Sequence, residues 1–330
     1  MKKFLDKISI NIYDNAKNKF FIKTYKIVCI VKDEIILPEY WGSILRGAFG
    51  RNLKRVSCIN KKERNCFECK FRNICVYFYT FESSFENNKP DFLKNVEYIP
   101  HPFILEPSFN KKNIYLKNEK FEFNLILIGL KTNYYLPFYV SAIIKMGQFG
   151  LFNNENSRFI LEKIETIDLK NVYSINEGFK FDFKFENDIK IINEEVPKNS
   201  IKEIIINFLT PTRIVNNGKY ISEPSFYIYF KSILSRFISL SYIYNELIIE
   251  KPKDLIIHSK NIKIKKSKLY WYDWETFSGR QKNIIKLGGI IGNIIYEGDI
   301  KPFLPFIIIG KYIHIGKNTT YGLGKYNFLL

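Results

Sequence analysis

Histidine is nearly absent from this chain: 330 residues contain His101, His258 and His314 and no others. Acid–base chemistry resting on imidazole, which titrates near neutrality, must draw on those three. Carboxylates form no cluster of the kind a two-metal nuclease uses. No run of about 18 uncharged apolar residues occurs, so no transmembrane helix and no membrane partner is expected. The N-terminus has lysines but lacks the apolar h-region of a signal peptide, which leads us to expect a cytoplasmic protein. The five cysteines, four of them clustered, do not suggest a secreted disulfide framework at this length.

What the chain does have is apolar bulk and positive charge. Hydrophobic residues make up 46% and aromatics 17%, which identifies a globular chain long enough for two cores. The formal net charge of +18 attracts polyanions and makes their binding salt-dependent. Lysine is abundant everywhere, so arginine is the sharper marker. Arg46, Arg51, Arg55, Arg64 and Arg72, five of the nine arginines, fall in one short segment.

That segment opens with a helix expected from Pro38 to about Val56. At 100° per residue Trp41, Ile44, Leu45, Ala48, Phe49, Leu53 and Val56 share one side. Ser43, Arg46, Gly47, Gly50 and Lys54 share the other. Two glycines on an exposed helical face cost about 1 kcal/mol each against alanine; they suit a close approach by another backbone, such as RNA. Cys58, Cys66, Cys69 and Cys75 follow in a basic loop. Four thiolates at this spacing fit a structural zinc site, an iron–sulfur site or free buried cysteines.

A second focus lies at the C-terminus. Lys311 to Tyr326 packs Gly316, Gly322 and Gly324 with Lys311, Lys317 and Lys325, Thr319, Thr320 and Tyr321. Glycine lets a backbone approach a ligand and turn its amides toward it; the lysines add charge and Tyr321 a stacking surface. The GxxxxGK[ST] spacing of a Walker loop is missing, and the loop leads into a strand instead of opening a helix. The competing interpretation is a glycine-rich turn before a terminal strand.

Along the chain, strand and helix patterns alternate twice. Strands are expected at 20–37, 121–130 and 158–167, with an extended stretch at 97–104 and helices at 38–56 and 136–146. They recur at 201–209, 256–271, 286–296 and 326–330 with helices at 223–247 and 302–313. Two βαββαβ units make two tandem ferredoxin-like (RRM-like) domains of α+β class. The expected boundaries are 1–195, with a cysteine-rich insertion at about 57–80, and 196–330.

These segments together resemble the CRISPR repeat-processing endoribonucleases of the RAMP superfamily. The likeness rests on Leu45–Gly50, Pro100–Pro107, Phe208–Arg213, Leu287–Gly292 and the terminal His314–Gly324 loop. It implies CRISPR repeat RNA, as pre-crRNA or crRNA, as the partner. It also implies cleavage without a catalytic cofactor: the 2′-hydroxyl attacks the adjacent phosphate and leaves a 2′,3′-cyclic phosphate. Many such enzymes carry a histidine on the first helix, and this chain has none there. His314, beside the loop, is the first candidate for base or acid, against a helix-end histidine bonding a carbonyl. Tyr40, Arg46 and Lys54 are alternatives; Arg51, Arg280, Gln281 and the loop residues are expected RNA contacts. Trp271 and Trp274 are either stacking surfaces or core. The alternative function is a non-catalytic crRNA-binding subunit of a CRISPR effector complex.

Overall fold

The computed structural model describes residues 14, 19–82, 90, 99–108, 112–152, 155–180, 184–191, 197, 199–247, 252–278 and 283–330. The chain divides into two compact units, Ile22–Asp188 and Met1–Phe21 with Ile189–Leu330. Phe20 and Phe21 pack within the second of these: the Phe20 ring lies 5.2 Å from Phe237, and the Phe21 amide donates to Asn245 Oδ1 at 2.8 Å.

In the first unit the elements are β1 (Ile22–Val31), β2 (Ile35–Ile36), α1 (Gly42–Ser57), β3 (Phe103–Pro107), β4 (Ile114–Tyr115), β5 (Lys120–Ile128), α2 (Leu130–Tyr134), α3 (Leu136–Phe149), β6 (Phe159–Thr166), β7 (Asn171–Ser174) and β8 (Gly178–Phe179). The sheet order β3-β5-β1-β6, all antiparallel, is that of a ferredoxin-like βαββαβ unit; β7 and β8 extend it at one edge. Tyr25, Ile27, Cys29 and Val31 alternate along β1 into the core. Leu45, Ala48, Phe49 and Leu53 of α1 are buried in the same core, as their 3.6-residue spacing requires. The helix starts four residues later than expected: Trp41 is its cap, and Pro38 lies outside. Gly147 sits inside α3, where a Cβ would come within 2.3 Å of the Phe159 carbonyl. Gly150, at φ 77°, closes that helix.

One ion pair ties the two ends of this unit together. Lys23 and Asp188, 1% and 0% exposed, meet at 2.8 Å, and Asp188 also accepts from the Thr24 amide at 2.6 Å. Breaking a buried pair strands the remaining charge. Lys23→Met is therefore expected to cost about 3–5 kcal/mol in urea unfolding; an unchanged midpoint would contradict it.

The second unit contains α4 (Asp188–Ile191, beginning on the last residue of the first), β9 (Glu203–Thr212), β10 (Val215–Asn216), β11 (Lys219–Tyr220), α5 (Phe226–Asn245), α6 (Lys253–His258), β12 (Lys263–Ser278), β13 (Asn283–Glu297), α7 (Leu304–Ile313) and β14 (Tyr326–Leu329). Its sheet order is β12-β13-β9-β14, again antiparallel, so the chain holds two tandem ferredoxin-like domains. Ile204, Ile206 and Phe208 alternate on the buried face of β9. Ser225 caps α5 by accepting from the Ile228 amide. Ile256–His258, expected as strand, is the end of the short helix α6; an apolar Leu-Ile-Ile run of that length has no period to separate the two. Among the described residues no helix is long and apolar enough to cross a membrane.

Candidate nucleic-acid interface

In the first unit the cysteine-rich segment returns to α1 and lays an aromatic pair on it. Tyr77 and Phe81 stack at 5.4 Å with 8° between their planes. Lys54 Nζ lies 5.2 Å from the Tyr77 ring and the Arg46 guanidinium 4.9 Å from the Phe81 ring. Gly50 is where this contact is made: a Cβ there would stand 2.9 Å from the Phe81 ring. The glycine face that the sequence offered to a nucleic-acid backbone is thus partly occupied by the protein itself. Gly47 remains half-buried, its would-be Cβ 3.5 Å from Arg51. Arg51 is exposed and donates to the Leu151 carbonyl at 3.1 Å.

The same ring brings in a histidine from elsewhere in the chain. His101, half-buried just ahead of β3, lies 6.1 Å from Phe81. Arg46 and His101 therefore border one aromatic side chain. No sequence spacing announces this; it follows from β3 and α1 packing through Phe81. Tyr40, a candidate donor, is only 3% exposed, and burial, with Glu106 adding to it, pushes its phenol well above the usual value. It is a core tyrosine.

The four cysteines do not form a ligand set as placed. All are half-buried free thiols, and no group of three His, Cys, Asp or Glu side chains that could hold a metal is found among the described residues. Cys66 Sγ accepts from Lys54 Nζ at 3.5 Å and Cys69 Sγ from Asn60 at 3.9 Å. Burial pushes the Cys66 thiol up, against the pull of Lys54.

In the second unit the glycine-rich loop runs from α7 to β14 and is stitched to the end of β9. Lys317 N donates to Arg213 O at 2.9 Å, Gly324 N to Pro211 O at 3.2 Å and Ile315 N to Gly324 O at 3.0 Å. Thr210 Oγ1 donates to Gly322 O and accepts from Lys325 N, both at 2.9 Å. Gly316, Gly322 and Gly324 have φ of 80°, 82° and 77°, and a Cβ on Gly316 or Gly324 would lie 2.5 Å or 1.9 Å from a carbonyl oxygen. The close approach that Gly316 permits is made to Arg213, just past β9, and that of Gly324 to Ile315 at the other end of the loop. Thr319 and Thr320 are buried, whereas Lys317 is exposed and Lys311, Tyr321 and Lys325 are half-buried at the rim. The amides of Gly316, Asn318, Thr319 and Thr320 donate to no main-chain carbonyl among the described residues.

His314 ends α7 at φ 58°, is 0% exposed, and bonds the Leu323 carbonyl through Nδ1 at 2.9 Å. Of its two expected roles the geometry supports the helix-end one: the ring clamps the two ends of the loop. A general base must reach the proton it removes, and this one faces the protein interior. His258 stacks on Phe303 at 5.9 Å. Arg280 and Gln281 lie outside the described residues. The structure also exposes Tyr220, which the sequence did not single out, beside Trp271.

Comparison with known proteins bears on this geometry. Residues 206–326 match the family model of the CRISPR-associated endoribonuclease Cas6, and residues 20–180 match a model described as an N-terminal domain. The comparison with curated proteins returned no match. Among solved structures the chain is similar to a Cas6 product complex, with TM-score 0.55 and 15% identity over 93% of this chain and 100% of that one. It is similar to Thermus thermophilus Cas6, with TM-score 0.52 and 13% identity over 94% and 99%. A partial Cas6-RT-Cas1–Cas2 complex gives TM-score 0.56 and 12% identity over 94% of this chain and 46% of that chain, so this protein spans less than half of that polypeptide. At such identities the likeness is one of fold. Residues 206–326, the greater part of the second unit, thus match the family model of the CRISPR-associated endoribonuclease Cas6, and the fold of the chain is shared along the length of the Cas6 structures.

Proposed function

We propose that the protein binds CRISPR repeat RNA and cuts it into crRNA without a metal ion. The observation that carries the reading is the Cas6-matched unit ending in a glycine-rich loop with Lys317 exposed and Lys311, Tyr321 and Lys325 at its rim. The loop's rigid backbone presents these side chains and the amides of Gly316 and Asn318 to Thr320 to the phosphates. In the reaction the 2′-hydroxyl gives up its proton, and its oxygen forms a bond to the adjacent phosphorus. The bond to the 5′-oxygen breaks, and that oxygen takes a proton. Two groups must move protons and a cation must offset the phosphorane's charge. His101 is assigned one proton transfer, and Arg46 and Lys54 the charge. All three belong to the first unit and are gathered by the Tyr77–Phe81 pair.

Incubating repeat RNA with the protein in excess EDTA tests this. Cleavage at full rate to a 2′,3′-cyclic phosphate and a 5′-hydroxyl is expected. Tight binding with no cleavage, with or without divalent ions, would instead favour a crRNA-binding effector subunit, the reading that the burial of both His314 and Tyr40 supports.

A further inference from the structure

We propose that Tyr220 and Trp271 form a stacking platform for an unpaired nucleobase of the bound RNA, held in place by Arg213. The inference rests on the RNA-binding reading above and adds a site to it. Arg213 is 7% exposed. Its Nη1 donates to the Gly288 carbonyl at 3.0 Å and its Nη2 to the Tyr220 hydroxyl at 2.6 Å, with the guanidinium carbon 4.5 Å from the centre of the Tyr220 ring. Its Nε has no hydrogen-bond acceptor among the described residues. A buried cation with this few partners is costly unless it serves something beyond packing. What it does here is fix an aromatic ring from below. The ring it fixes remains 49% exposed, and Trp271, 37% exposed, stands 6.2 Å away at 57°.

Trp271 is held just as deliberately. Its indole N–H donates to Asp273 Oδ1 at 2.7 Å, and both groups lie across Gly288, where a Cβ would come within 2.3 Å of either. Gly288 is therefore open to let the indole lie flat on the hairpin of β12 and β13, and its carbonyl receives Arg213. The main chain of Arg213 in turn accepts from Lys317 in the glycine-rich loop. One residue thus fixes both the phosphate-facing loop and the aromatic pair. Exposed aromatic side chains pinned by buried polar contacts are what sequence-tolerant stacking on single-stranded RNA requires.

Intrinsic tryptophan fluorescence titrated with a short oligouridylate reads the platform as the difference between wild type and Trp271→Phe, because Trp41 is buried and the half-buried Trp274 is common to both. The wild type is expected to be quenched, and Trp271→Phe to lose most of that quench. Tyr220→Leu, which keeps the bulk and removes the π face, and Trp271→Leu are each expected to weaken binding about 5- to 100-fold. Tyr220→Phe and Trp271→Phe are expected to stay within about threefold, since a ring remains. Leucine variants that bind as tightly as wild type would overturn the platform, as would an oligoglutamate that binds equally well with the same sensitivity. If the wild type cuts no repeat RNA yet shows this pattern with oligouridylate, the platform stands and the processing role falls. If it cuts repeat RNA while the leucine variants bind normally, the reverse holds.

Discussion

His101→Gln is expected to slow repeat-RNA cleavage by about 100- to 10,000-fold while leaving RNA affinity within about twofold. Glutamine keeps the size and one donor of the imidazole but cannot exchange a proton near neutrality. The prediction separates two histidines that look alike in sequence. His314 sits beside the glycine-rich loop in the chain, yet its ring is buried and bonded to Leu323. His101 is remote in the chain, yet it borders the Phe81 ring that Arg46 also covers. His314→Asn serves as the contrast. Asparagine tolerates the positive φ of this position and can donate to the Leu323 carbonyl, so most cleavage should survive. Single-turnover rates and a filter-binding isotherm on both variants decide the matter. A fully active His101→Gln protein, or an inactive but well-folded and RNA-binding His314→Asn protein, would reverse the assignment.

Gly324→Ala should be the most damaging single-methyl change in the second unit. The position combines φ 77° with a would-be Cβ 1.9 Å from the Ile315 carbonyl oxygen. The left-handed conformation alone costs about 1–2 kcal/mol for an L-residue. The methyl group also meets backbone that is held by the bonds from Ile315 and Gly324, so relief requires the two ends of the loop to part. We expect a loss of about 3 kcal/mol, seen as a drop of roughly 6–12 °C in the unfolding midpoint of this unit. Affinity for repeat RNA should fall with it, because Lys317 and Tyr321 lose their fixed backbone. Gly47→Ala is the control: no positive φ is found there, and the nearest atom is the end of a flexible arginine. A Gly324→Ala protein that melts with the wild type and binds RNA normally would falsify the pinned-loop account.

The glycine positions show how far sequence reasoning reaches. Gly50 was legible as a site of close approach, and that physical inference holds; the approaching group is Phe81, 31 residues onward in the chain. Gly316 and Gly324 were likewise legible as places where a backbone comes near, but the backbone is that of Arg213, just past β9, and of Ile315 at the start of the loop. Local pattern states that a side chain is missing, not what fills the space. The cysteine cluster makes the same point: four thiols in one loop were legible, whereas the contacts of Cys66 with Lys54 and of Cys69 with Asn60 were not.

Periodicity, turn residues and basic composition sufficed for the two βαββαβ units, the buried stripe of α1 and the attraction to a polyanion, because each depends on neighbours within a few residues. Which basic and aromatic groups work together was decided only by the tertiary structure. His101 with Arg46, Arg213 with Tyr220 and Trp271, and the burial of His314 and Tyr40 all depend on strands and helices distant in the chain coming into contact. No local preference encodes such meetings; they arise when two apolar faces close on each other and carry their polar edges along.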